Sequence, residues 1–221
     1  MVPKIKYYLI IIGCFQVIFS GTSKQGEAYE YFLKGEYEIL QNNFRQAEKH
    51  YTKALSLSPD SPTILRSLVD LKSYQGEYED AIQYLEKILE LEPDNKDSGL
   101  DLYQLHVQAG NLIKAERVLD SLLIHFPGDQ DILFARANTQ YSEQDWSNLL
   151  KTYQSIYVGE PTQPNILIKI YEIGIATGNI ELVQEILWEL KVISDDLVIL
   201  EILIEISSTK REYPEAIELT Q

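Results

Sequence analysis

Cysteine is nearly missing from this chain: Cys14 is the only one in 221 residues. No internal disulfide can form, so the fold must be held by packing alone. That is compatible with an oxidising compartment without demonstrating one. Histidine is almost as scarce. His50, His106 and His125 share no local motif, and no HExxH, Cys/His cluster, GxSxG or GxxxxGK(S/T) pattern occurs, which leaves metal and nucleophilic chemistry without a visible site. The neighbouring carboxylates Glu77, Glu79 and Asp80 are what acid-rich helices produce by chance. We expect no enzyme and no cofactor. Positive charge is also short, with 19 Lys and Arg against 34 Asp and Glu and a net charge of -15. Such a surface repels nucleic-acid phosphates and suits basic partners, besides keeping the protein in solution. Gly/Ser linkers and low-complexity runs are absent, which predicts one domain.

What is present is a period. Pro59, Pro93, Pro127 and Pro161 stand 34 residues apart. Phe44, Tyr78, Leu112, Trp146 and Ile180 keep the same interval, as do Tyr51, Leu85, Leu119, Tyr153 and Leu187, and as do Ala47, Ala81 and Ala115, continued by Leu149 and Val183. Gly76, Gly110 and Gly178 are in phase as well, with Gln144 in the gap. Within one unit, Phe44, Ala47, Tyr51, Ala54 and Leu55 make the apolar stripe of an amphipathic helix. The unit therefore reads helix, short turn, helix, turn. "ILIKIYEIGIA" invites a strand reading, but its phase matches helices one period earlier. Pro ends the second helix of the first four units because it cannot continue the hydrogen-bond ladder, and Asp195 fills that place in the fifth. In "SPDSPT", Ser61 and Pro62 supply an N-cap and a first-turn proline for the next helix. The Ala column marks the close crossing within each pair, so Leu149 and Val183 predict looser hairpins.

These columns, with "NNFRQAEKHYTKALSLSPD" and "GEYEDAIQYLEKILELEPD" as the clearest instances, resemble the tetratricopeptide repeat. The resembling units run 28–61, 62–95, 96–129, 130–163 and 164–197, with a partial sixth over 198–221 that contains "EYPEAIEL". The resemblance implies an all-α, right-handed α-solenoid of antiparallel helix pairs, with a groove lined by the first helix of each pair. It also implies a protein-binding scaffold or adaptor.

Ahead of the repeats the composition changes. Lys4 and Lys6 precede an uncharged, mostly apolar stretch, Tyr7 to Ser20, and then the polar "GTSKQGE". Residues 1–23 read as a secretory signal peptide or an N-terminal membrane anchor, with residues 24–221 as the repeat domain. The apolar stretch is 14 residues, shorter than the ~20 that span a bilayer. Ser20 or Ser23 precedes the cut in the first reading. "IIGC" ending at Cys14 resembles a bacterial lipobox and opens lipidation as a third reading, although the apolar "FQVIFS" that follows departs from that pattern. All three place the protein outside the cytoplasm, in the periplasm or cell envelope.

For partner-binding residues the resemblance points to equivalent phases of the first helices: Phe32 and Glu36, Arg66 and Asp70, Leu100 and Gln104, Phe134 and Asn138, Ile168 and Glu172, with Tyr141 beside them. The co-chaperone subclass that clamps a C-terminal carboxylate uses Lys, Arg and Asn here. Arg66 and Asn138 are isolated among acids, so that clamp is not expected. Phe32, Phe134 and Tyr141 instead suit apolar anchors of a protein or peptide partner, with Glu36, Asp70 and Glu172 selecting basic neighbours. The competing reading has these aromatics packing on adjacent repeats. The membrane is involved only through the N-terminal segment. Two other functions fit the sequence: the docking or sensor part of a larger enzyme or signalling protein, and an outer-membrane assembly lipoprotein. "LVILEILIEI", Leu197 to Ile206, with only a short helix after it, predicts an exposed apolar end and self-association.

Overall fold

The columns become helix boundaries. In the computed structural model, which describes residues 23–161 and 163–209, the regular elements are eleven α-helices. They are α1 (Lys24–Leu40), α2 (Phe44–Leu57), α3 (Pro62–Gln75), α4 (Tyr78–Leu91), α5 (Lys96–Gln108), α6 (Leu112–His125), α7 (Gln130–Glu143), α8 (Trp146–Gly159), α9 (Pro164–Thr177), α10 (Ile180–Ile193) and α11 (Leu197–Thr209). Phe44, Tyr78, Leu112, Trp146 and Ile180 each open the second helix of a pair. The prolines of the repeat fall two residues beyond the ends of α2, α4, α6 and α8. The segment containing Cys14 and the "EYPEAIEL" stretch lie outside the described residues.

Caps and turns explain why the chain reverses where it does. Ser61 Oγ accepts from the backbone N–H of Ile64 and Pro62 opens α3. Asn95 and Asp129 cap α5 and α7 in the same way through Ser98 and Ile132. Between the helices of each pair, Asn42, Gly76, Gly110, Gln144 and Gly178 all take left-handed φ, between 58° and 76°. That conformation reverses the chain and leaves its two non-glycine occupants, Asn42 and Gln144, under backbone strain. Gln144, a gap in the glycine column, forms the turn nonetheless.

The chain divides into two compact units, one through Val118 and one from Leu119, with the division inside α6. In the first unit, Ala47, Tyr51, Ala54, Ile64, Leu68 and Leu71 form one core and Leu65, Val69, Ala81, Ile82, Leu85 and Ile88, with α5 residues, form the next. Full burial of each Leu or Ile contributes about 1.5–3 kcal/mol, so these faces, and not intrinsic helix propensity, hold the pairs together. Lys72 of α3 is buried with them. Its ammonium meets Glu48 of α2 at 2.7 Å, Glu77 at 2.5 Å and Asp80 of α4 at 3.7 Å. Burial works against that charge, but the hydrogen bonds and charges of Glu48 and Glu77 outweigh it and push the ammonium above its ordinary value. Two of the clustered acids of the sequence therefore have a structural task.

The second unit has a single larger core. Leu149 and Val183 are fully buried in it. In the hairpin of α9 and α10, Gly174 of α9 faces Val183, and a Cβ at 174 would lie 2.1 Å from Val183 Cγ2. The small residue has moved to the partner helix. Ile199, Ile202, Leu203 and Ile206 of α11 are buried in the same core. Part of the apolar end expected to drive self-association is thus packed into the unit's own core, while Leu197 of the same stretch is exposed. Among described residues the exposed apolar side chains nearby are Trp188, Val192, Ile193 and Leu197. No helix among the described residues is long and apolar enough to cross a membrane.

Candidate functional site

Glu36 and Asp70 occupy the same phase of α1 and α3, and in the first unit they line one cavity of about 390 Å³. Its remaining walls come from Ile39, Asn42, Phe44, Tyr51, Ser67, Leu71 and Tyr74. Three helices build it. Gly35 on α1 is the reason Tyr51 can cross from α2: a Cβ at 35 would lie 2.4 Å from Tyr51 Cε1. The phenol so placed donates to Glu36 Oε1 at 2.7 Å, and Ser67 Oγ of α3 donates to the same oxygen at 3.0 Å. Glu36 is thereby fixed in the cavity wall while Oε2 makes no hydrogen bond to any described residue. Burial, then the hydrogen bond and charge of Glu36, push the Tyr51 hydroxyl well above its usual range, so it stays a donor at any physiological pH.

Asp70 lines the same cavity without a hydrogen bond or ion pair to any described residue. Burial raises its carboxyl above the usual range; the charge of Arg66 pulls it down, and Asp101 and Glu36 push it up. Phe44 and Tyr74 meet at 4.8 Å between ring centroids and form an aromatic wall. Tyr74 is 73% exposed, which marks a ring whose faces are not used up by the core. Among the described residues, Glu36 and Asp70 are the only charged ones on the lining.

The other residues picked out by phase have varied fates. Arg66 is half-buried and donates to Asp101 Oδ2 and Ser98 Oγ, both at 2.6 Å, so its guanidinium ties α3 to α5. Phe32 lies 6.0 Å from the Tyr51 ring and packs on the first core. Leu100 is half-buried and Gln104 exposed on α5. In the second unit, Phe134 packs against the core, Asn138 and Glu172 are exposed, and Ile168 is partly exposed. Tyr141 is open to solvent with its ring edge-on to Trp146 at 5.6 Å. Packing on neighbouring residues therefore accounts for Phe32 and Phe134, while Glu36 and Asp70 are brought together. Phase did not point to Tyr74, Phe44 or Ser67. The available clue for Tyr74 was its place one turn after Asp70 on the same helix. Among the described residues no group of His, Cys, Asp and Glu is placed to hold a metal ion.

Comparison with known proteins agrees with this architecture. Two family models, both described as tetratricopeptide repeat, match residues 32–98 and 74–139. No curated protein matches the sequence. Among solved structures, a tetratricopeptide repeat protein from Parabacteroides merdae is 16% identical with a TM-score of 0.58, over 87% of this chain and 77% of that one. YrrB, described as a TPR protein with an unusual peptide-binding site, is 18% identical with a TM-score of 0.54, over 85% of this chain and 96% of its own. MamA from Desulfovibrio magneticus is 13% identical with a TM-score of 0.53, over 77% of this chain and 98% of its own. At these identities the likeness is one of fold. With the 34-residue register and the paired helices, the matching models make this chain a member of the tetratricopeptide repeat family.

Proposed function

We propose that the chain is a protein-interaction scaffold in the cell envelope, which seats a segment of a partner protein on the α1–α3 face of its first unit. The observation that carries the reading is the cavity at Glu36 and Asp70: an apolar and aromatic recess with two carboxylates and no basic side chain on its lining. Such a recess gives a partner an anchor with a defined charge preference, which favours a basic segment. YrrB, with its peptide-binding site, lends support from a protein of the same fold. The envelope setting rests on Lys4 and Lys6 followed by the uncharged stretch Tyr7 to Ser20. No catalytic step is assigned to the chain.

The test is site-specific photocrosslinking in cells. A crosslinking amino acid at Tyr74 is expected to trap a protein partner, and one at the exposed Gln83 of α4 serves as control. Equal trapping at the two positions, or adducts at Gln83 alone, removes the reading. Intact-mass analysis of the envelope fraction addresses the setting: we expect a chain beginning between Cys14 and Lys24, and a soluble chain that keeps Met1 contradicts export.

A further inference from the structure

We infer that the cavity between α1 and α3 is a receptor for an arginine side chain of the partner segment. The inference rests on the scaffold reading above and specifies its ligand. Three features of the cavity converge on a guanidinium. Glu36 is held by Tyr51 and Ser67 through one oxygen, so its other oxygen is positioned and open. Asp70 faces the same space with its hydrogen-bonding capacity unused by described residues. Arg66, the neighbouring cation, is committed to Asp101 and Ser98 and leaves both carboxylates to an incoming one. A planar fork of N–H donors can engage two carboxylates while its flat face lies on an aromatic ring, a combination that the tetrahedral head of an ammonium cannot offer.

The apolar part of the lining supplies the rest. Ile39 and Leu71 fit the three-methylene stem of arginine, which gains from burial while its head remains polar. Phe44 and Tyr74, joined at 4.8 Å, offer ring faces on which a guanidinium stacks by cation–π attraction. Partial desolvation of the Asp70 carboxyl raises its pKa, and a counter-charge in the cavity would oppose that shift. In a chain of net charge -15 the surrounding field also draws cations toward the recess.

The experiment titrates the full-length chain, followed by NMR, with the blocked amino acids Nα-acetyl-arginine amide, the lysine equivalent and the uncharged citrulline equivalent. We expect saturable shifts at Tyr74 and Ser67 with arginine, on the order of tenfold weaker binding for citrulline, and a similar loss for arginine in Asp70→Asn and Tyr74→Ala. Both replaced residues are exposed, and a retained helical spectrum confirms that the variants fold. Equal affinity for arginine and citrulline, affinity for lysine matching arginine, or an unchanged affinity in Asp70→Asn overturns the assignment. Peptide-display selection on the same chain separates this failure from failure of the scaffold reading. Peptides that crosslink at Tyr74 but show no arginine enrichment leave the groove and remove the receptor; selection of no peptide removes both.

Discussion

Replacing Gly174 with Ala tests the register most directly, because it moves the repeat's small residue back against a bulky partner. The added Cβ would lie 2.1 Å from Val183 Cγ2 and 3.2 Å from Val183 Cβ. Val183 cannot swing away easily, since a β-branched side chain in a helix has one strongly preferred rotamer. Overpacking of this kind costs roughly 1–3 kcal/mol. Ala over Gly in a helix interior returns about 1 kcal/mol, so the expected net loss is roughly 0–2 kcal/mol. Val183→Ala alone removes two buried methyl groups and leaves a cavity, at a cost of roughly 2 kcal/mol. In the double variant the new Cβ occupies the vacated space, and we expect its loss to fall near 1 kcal/mol, a coupling of about 2 kcal/mol between the sites. Urea unfolding followed by tryptophan fluorescence is the assay. Both tryptophans of the chain, Trp146 and Trp188, lie in the second unit, so the signal reports where the change is made. With a slope of about 2–3 kcal/mol/M, each kcal/mol moves the midpoint by roughly 0.3–0.5 M. Losses that add within about 0.5 kcal/mol would refute the assigned contact.

Gln144→Gly should stabilise the protein by roughly 1 kcal/mol, because Gln144 sits at φ 58° in a turn that glycine makes without strain; a lowered urea midpoint contradicts this. Leu149→Ala should cost roughly 2–5 kcal/mol, since Leu149 is fully buried where other units carry Ala, and a change below 1 kcal/mol by the same assay would show that the site collapses. His106 is buried with Nδ1 unpaired. Burial, then the charge of Lys114, lowers its pKa, while Glu86 opposes them. The unfolded chain therefore binds the proton more readily, and stability falls as pH drops below the ordinary histidine value of about 6.5. His106→Leu should flatten the dependence of the first unit's melting on pH between about 7 and 5; an unchanged slope assigns it to other groups.

The fold was legible because a repeat writes its geometry as a one-dimensional interval. A proline every 34 residues follows the second helix of each of the first four pairs, and the phase of one turn predicts the next. The phase even outranked composition: Gln144 takes the left-handed turn its position demands, and so does Asn42, which the glycine column did not include. What the interval cannot express is compensation across a hairpin. Val183 read as a bulky residue forcing helices apart, and the residue it meets across the hairpin is Gly174, which shares its phase with Gln140, His106 and Lys72 and so belongs to no small-residue column.

The cavity shows the same division between face and fate. Phase correctly put Glu36 and Asp70 on one side of their helices, since that is a property of each helix alone. Whether such residues form a site depends on what their neighbours consume. Arg66 has the same kind of position, but Asp101 and Ser98 one repeat away take its donors. Asp70 accepts no hydrogen bond from Arg66 because those donors go to Asp101 and Ser98, although the Arg66 charge still acts on it. Tyr74 belongs to no aromatic column, its counterparts being Leu40, Gln108, Ser142 and Ala176, and it acquires a role only because Phe44 of the preceding pair stands against it. A repeat thus announces its scaffold through what recurs. Its binding chemistry lies in what does not recur, and the acid–aromatic recess of the first unit is built from one recurring pair of positions and one aromatic that appears once.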